Sequence, residues 1–133
     1  MIPPFDDNGY LPHGIHMATL DEIESRFGQD SELRRVQIES LRWLKDLAVR
    51  AGIERIVLDG SLVTDAIEPN DIDCVLLIGP HFPDDASAAK ELMDGLPFLD
   101  LELVESSEFS LLTEQIFATD RNGVLKGLIE VIQ

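Results

Sequence analysis

At 133 residues with 44% apolar composition, the chain has the length of one domain and enough apolar side chains for a single core. No apolar run is long enough to span a membrane, and Met1-Ile2-Pro3-Pro4-Phe5-Asp6-Asp7 lacks the basic-then-apolar plan of a signal peptide, so a cytoplasmic chain without membrane contact is expected. The formal charge of −16 is concentrated in residues 56 to 133, where sixteen acids face only Lys90, Arg121 and Lys126; this excludes an extended nucleic-acid groove and leaves solubility, divalent-cation binding or docking on a basic protein partner.

The opening residues, with Pro3-Pro4, Asn8-Gly9 and Pro12-His13-Gly14, carry turn formers and no period, so 1–18 reads as an ordered arm or loop. Thr19 and Glu22 then form a capping-box pattern that starts a short helix over about 20–27, with Gly28 as its stop. A longer helix is predicted from Ser31 to about Ala51, ended by Gly52. Its apolar side is read from Leu33, Val36, Leu41, Leu44, Leu47 and Ala48, and its polar side from Arg34, Arg35, Glu39, Arg42 and Asp46.

Beyond Gly52 the period changes. Arg55-Ile56-Val57-Leu58 reads as a buried strand ending at Asp59-Gly60, and Ile72 to Ile78 as a second strand stopped by Gly79-Pro80. The one cysteine, Cys74, lies inside that second run, which suits a buried, inert thiol in a reducing compartment. A helix over 84–94, a strand over 99–104 with alternating apolar and acidic residues, a helix over 107–118, a turn at Asp120-Arg121-Asn122-Gly123 and a strand within 124–132 complete the series. This is an α/β (α+β) pattern: one small mixed sheet with packed helices, organised as an arm (1–18), helices (19–52) and the sheet with its remaining helices (53–133).

Strand one delivers the chain to Gly60-Ser61, and strand two opens at Asp71-Ile72-Asp73. Carboxylates two residues apart in a strand face the same way, and such a pair suits Mg²⁺ or Mn²⁺, hard cations that keep waters and substrate phosphates in their other positions. Asp100 on the next strand is the candidate third carboxylate, with Glu102 as its substitute if the register is shifted by two. Glycine at 60 permits close backbone approach to a phosphate, the Ser61 hydroxyl can hold it, and Thr64 can support the turn. Asp59-Gly60-Ser61-Leu62-Val63 is not a hydrolase nucleophile elbow. His13, His16 and His81 lack the spacing of a zinc site and read as loop or packing residues, and Trp43 as core or interface.

Gly-Ser, a spacer, then Asp-x-Asp at the head of an apolar strand resembles the signature of the polymerase-β-like nucleotidyltransferase superfamily. Met1-Ile2-Pro3-Pro4-Phe5, residues 8–16, Asp59 to Thr64 with Pro69 to Asp73, and Asp120 to Gly123 with Lys126-Gly127 together resemble short bacterial nucleotidyltransferase-like proteins along nearly the whole chain. The resemblance implies that fold and metal-dependent transfer of a nucleoside monophosphate from a nucleoside triphosphate (NTP) to a hydroxyl of a protein or RNA acceptor. It matches Asp71 and Asp73 to the metal ligands and Gly60 and Ser61 to the phosphate contacts. Small members resemble the antitoxin half of toxin–antitoxin pairs, some of which nucleotidylate their toxin. A protein of the same fold that is catalytically inert and neutralises a basic partner by docking is the alternative.

Overall fold

A computed structural model describes residues 2–7, 9–27, 31–59, 71–120 and 122–133, the side chain of Asp59 excepted. In chain order these form β1 (Gly14–Thr19), α1 (Leu20–Phe27), α2 (Glu32–Ala51), β2 (Ile53–Asp59), β3 (Ile72–Ile78), α3 (Ala86–Asp94), β4 (Leu99–Val104), α4 (Ser106–Leu111) and β5 (Gly127–Ile132). Among the described residues, one five-stranded mixed sheet runs in the order β1-β5-β2-β3-β4. β1 lies parallel to β5 and β3 to β4, while β2 is antiparallel to both of its neighbours.

The helix ends follow the capping chemistry of the sequence. Thr19 Oγ1 accepts from the Glu22 backbone N–H at 3.2 Å and Glu22 Oε1 accepts from the Thr19 N–H at 3.1 Å, a reciprocal box that starts α1. Ser31 caps α2 by accepting from the Arg34 N–H, and Gly52, at φ 92°, closes it in the left-handed region that a side chain would strain. Asp85 caps α3 by accepting from the N–H groups of Ser87 and Ala88. Gly28, the expected stop of α1, lies outside the described residues.

Strand alternation sorts the sheet into two faces. Ile56, Leu58, Ile72, Cys74, Leu76 and Ile129 meet the apolar sides of α1, α2 and α3 in the main core. Val57, Val75, Leu77, Val104 and Leu128 point the other way, where Phe109 of α4 covers part of them. Among the described residues, three helices lie on one face and α4, with Leu112 and Phe117 after it, covers part of the other, which makes a layered α+β fold whose second face is half-roofed by these elements.

Four expectations change. The arm contains β1, whose six residues pair in register with β5 from Gly14↔Gly127 to Thr19↔Ile132. The turn formers stop where that strand starts, and Ala18, fully buried, is its inward anchor. On α2, Arg34 is buried with Gln37 and Ile38, so the inward stripe runs through 34, 37, 38, 41, 44 and 48; Leu33 and Val36 lie only at its border. Trp43, expected in a core or interface, is 46% exposed, which places it outside the core of this chain. Finally, the helix expected over 107–118 is α4 followed by a π-helical turn, Leu112–Ile116, in which the Phe117 N–H donates to the Leu112 carbonyl at 2.8 Å.

The remainder of the arm is tied to the turn before β5. Tyr10 donates its hydroxyl to Asp120 Oδ2 at 2.7 Å, while Asp120 Oδ1 accepts from the N–H groups of Asn122 and Val124. The Tyr10 hydroxyl, then the Val124 N–H, holds the Asp120 carboxyl below its ordinary value of 3.8. A carboxyl depressed in the folded state contributes stability above its unfolded value and loses it as pH falls through the folded one. Tyr10→Phe is therefore expected to lower Tm at pH 7, with a gap that narrows once the pH is below the ordinary Asp120 value. Circular-dichroism melts at neutral and acid pH check this, and equal gaps at both would contradict it.

Candidate functional site

Register brings the predicted acids toward one end of the sheet. β2 ends on Asp59, paired with Asp73 across the antiparallel β2–β3 ladder, and Asp73 pairs in turn with Asp100 across the parallel β3–β4 ladder. Neighbouring strands lie about 4.8 Å apart, and paired residues project from the same face, so Asp73 and Asp100 stand side by side. Their face is the half-roofed one, because Val75 and Leu77 follow Asp73 at two-residue steps into the cluster around Phe109. Asp73 is half-buried and Asp100 exposed. Glu102 is two residues further along β4, opposite Val75, so the unshifted register sets Asp100 against Asp73.

Asp71 does not share the strand geometry expected of it. It lies on the bend just before β3 and is exposed, because the Ile72 N–H, which donates to the Phe98 carbonyl at 2.9 Å, already belongs to the first rung. Gly60, Ser61 and Thr64 lie outside the described residues. Among the described residues, no group of three or more His, Cys, Asp or Glu is arranged to hold a metal ion. The donor chemistry that register brings together is a cross-strand pair of hard oxygen groups, Asp73 and Asp100, with Asp71 one residue before β3.

Cys74 reports the field of that pair from the opposite face. Burial raises its thiol pKa, and the carboxylates of Asp73 and Asp100 raise it further. The sulfur is fully buried, with the Ile72 carbonyl at 3.5 Å. The thiol is expected to resist Ellman's reagent in the native protein and to react fully in guanidinium; native labelling at the unfolded rate would contradict this burial.

Cations are scarce near the acids. Arg55 is occupied: Nε and Nη2 donate to Glu130 at 3.0 and 2.6 Å, and its guanidinium lies 4.8 Å from the Phe109 ring centroid. Arg121 lies outside the described residues, and Lys126 lines a cleft between β1 and the π-helical turn. His16 Nε2 is 2.6 Å from the Pro12 carbonyl, in keeping with a packing role. That cleft and the π-helical turn were not legible as site features.

A family model described as a family of unknown function, DUF6932, matches residues 3–132. The chain belongs to that family. Neither curated proteins nor solved structures give a match. The DUF6932 match runs from the arm to β5 and so includes every strand of the sheet and all the acids described above. No helix among the described residues is long and apolar enough to cross a membrane.

Proposed function

We propose that this DUF6932 protein has a nucleotidyltransferase (polymerase-β-like) fold and transfers a nucleoside monophosphate from an NTP to a hydroxyl on a protein or RNA acceptor. The observation that carries this is the Asp73–Asp100 pairing at the end of the sheet where β2 leads into Gly60-Ser61. In this reading Asp71, Asp73 and Asp100 hold Mg²⁺ or Mn²⁺, whose charge would offset that of the triphosphate. Gly60, Ser61 and Thr64 receive the phosphates through backbone N–H groups and hydroxyls. The acceptor oxygen bonds to the α-phosphorus, the bond from that phosphorus to the bridging oxygen of the β-phosphate breaks, pyrophosphate leaves, and the hydroxyl proton passes to a carboxylate, for which Asp100, exposed and paired with Asp73, is the candidate.

A second reading, a catalytically inert protein of the same fold that neutralises a basic partner such as a toxin, draws support from Arg55. Its commitment to Glu130 takes one cation from a site that has few. Calorimetry with Mg²⁺ and a non-hydrolysable triphosphate separates the two. Nucleotide transfer requires heat of binding that weakens at least about tenfold in Asp73→Ala and in Asp100→Ala, since each removes a charged ligand. No heat at millimolar nucleotide would sink the transferase reading and leave docking.

A further inference from the structure

We infer that the half-roofed face of the sheet docks a basic amphipathic segment of a partner protein, whose apolar side chain anchors in the cleft between β1 and the π-helical turn. The inference deepens the docking reading and does not depend on nucleotide transfer. It begins with the cleft, about 140 Å³, whose walls include Ile15 of β1, Leu128 of β5, and Thr113 and Ala118. Ligand pockets for small molecules span roughly 300–1,000 Å³, so this one suits a single large side chain rather than a nucleotide or cofactor. Its surroundings are apolar and open: Met17 lies two residues beyond Ile15 on the same side of β1 and is 54% exposed, and Ile116 of the π-helical turn is 51% exposed. Fully desolvated anchors of this kind carry most of the energy at protein interfaces.

Charge names the occupant. Ile129 pairs with Leu58 and Leu58 with Cys74, so Leu128 and Asp73 stand in one row across the sheet, roughly 10 Å apart at two strand spacings. The row continues to Asp100, with Glu102 one step along β4, while Glu114 lines the cleft. Arg55 on this face is neutralised by Glu130, while Lys126 and His13 line the cleft beside Glu114. A second copy of a chain with net charge −16 would set this acidic frame against itself. Nucleic acid and anionic lipid are repelled for the same reason. A segment with one apolar row flanked by Lys or Arg satisfies both the cleft and the frame.

The test uses a fluorescein-labelled amphipathic Leu/Lys peptide, with Leu/Glu and Ser/Lys versions of the same length, titrated with the full chain at low ionic strength. Saturable binding of Leu/Lys is expected, weaker by at least about tenfold for each of the other two and for the variants Ile15→Ser, Ile116→Ser and Glu102→Lys/Glu114→Lys. Trp43→Ser, on the opposite layer, is expected to bind as the unaltered chain does. Ile116 is exposed, so its variant keeps the test decisive if Ile15→Ser fails to fold. Equal binding of Ser/Lys would reduce the effect to bulk charge and overturn the proposal. So would unchanged binding by the three face variants, or a dimer in sedimentation that Ile116→Ser dissolves.

Discussion

Replacing Gly127 with alanine is expected to lower stability by about 3 kcal/mol, near the upper end for overpacking a close-packed site, and Tm by roughly 10 °C. A Cβ built at Gly127 falls inside van der Waals contact of the Pro12 carbonyl oxygen, 2.9 Å from Leu11 Cβ and 3.1 Å from His16 Cδ2. The nearest of these is backbone, so no rotamer change relieves it. Retreat of that segment would break the bond from the Gly127 N–H to the Leu11 carbonyl, 2.9 Å, and disturb the first rung of β1, Gly14↔Gly127. Leu11 is fully buried, so displacement also opens the core. Urea and thermal unfolding of Gly127→Ala measure the effect; a variant within about 0.5 kcal/mol of the parent would mean that the arm does not cross β5 in this way.

Removing either partner of the Arg55–Glu130 pair should be costly, and unequally so. The side chain of Glu130 is 10% exposed and that of Arg55 38%, so the carboxylate depends on the guanidinium more than the reverse. The bidentate bonds hold the Arg55 pKa above its ordinary value, with Glu130 as the leading cause. Arg55→Ala leaves a buried carboxylate without its charge partner and removes the cation over Phe109 that helps fasten α4; a loss of about 3 kcal/mol is expected, at the low end for buried pairs because the arginine is partly solvated. Glu130→Ala, which leaves a guanidinium able to reach water, should lose about 2 kcal/mol. The double variant should lose less than the two together, and a double-mutant cycle reads the coupling. Strict additivity would show that the two groups do not act as a pair.

These two sites also mark where reading the sequence succeeds and stops. Features written in neighbouring residues were legible: the Thr19–Glu22 box, the Ser31 and Gly52 ends of α2, the β3 run, apolar apart from Asp73 and Cys74, and the alternation of β4 appear where local chemistry puts them. Features that need a distant partner were not. β1 is a short strand containing a glycine and a histidine, and it is stabilised by β5, more than a hundred residues away, so its own pattern says little. Arg34 looks like a surface charge until the packing around α2 buries it, and Arg55 like a free cation until Glu130 arrives from another strand. For the candidate site, residue types and the two-residue spacing of Asp71 and Asp73 were legible, but which acids share a row is a property of register. The ladders pair Asp73 with Asp100 and leave Asp71 before the strand.

The sheet order also dictates when the molecule can assemble. β5 lies between β1 and β2, so among the described strands β1 has no neighbour until 127–132 have been synthesised. During translation β1 must wait, and its parallel pairing closes a loop that encloses nearly the whole chain. A nascent chain stalled before β5 would hold β2, β3 and β4 with the open flank of β2 exposed, the state in which a chaperone has most to cover.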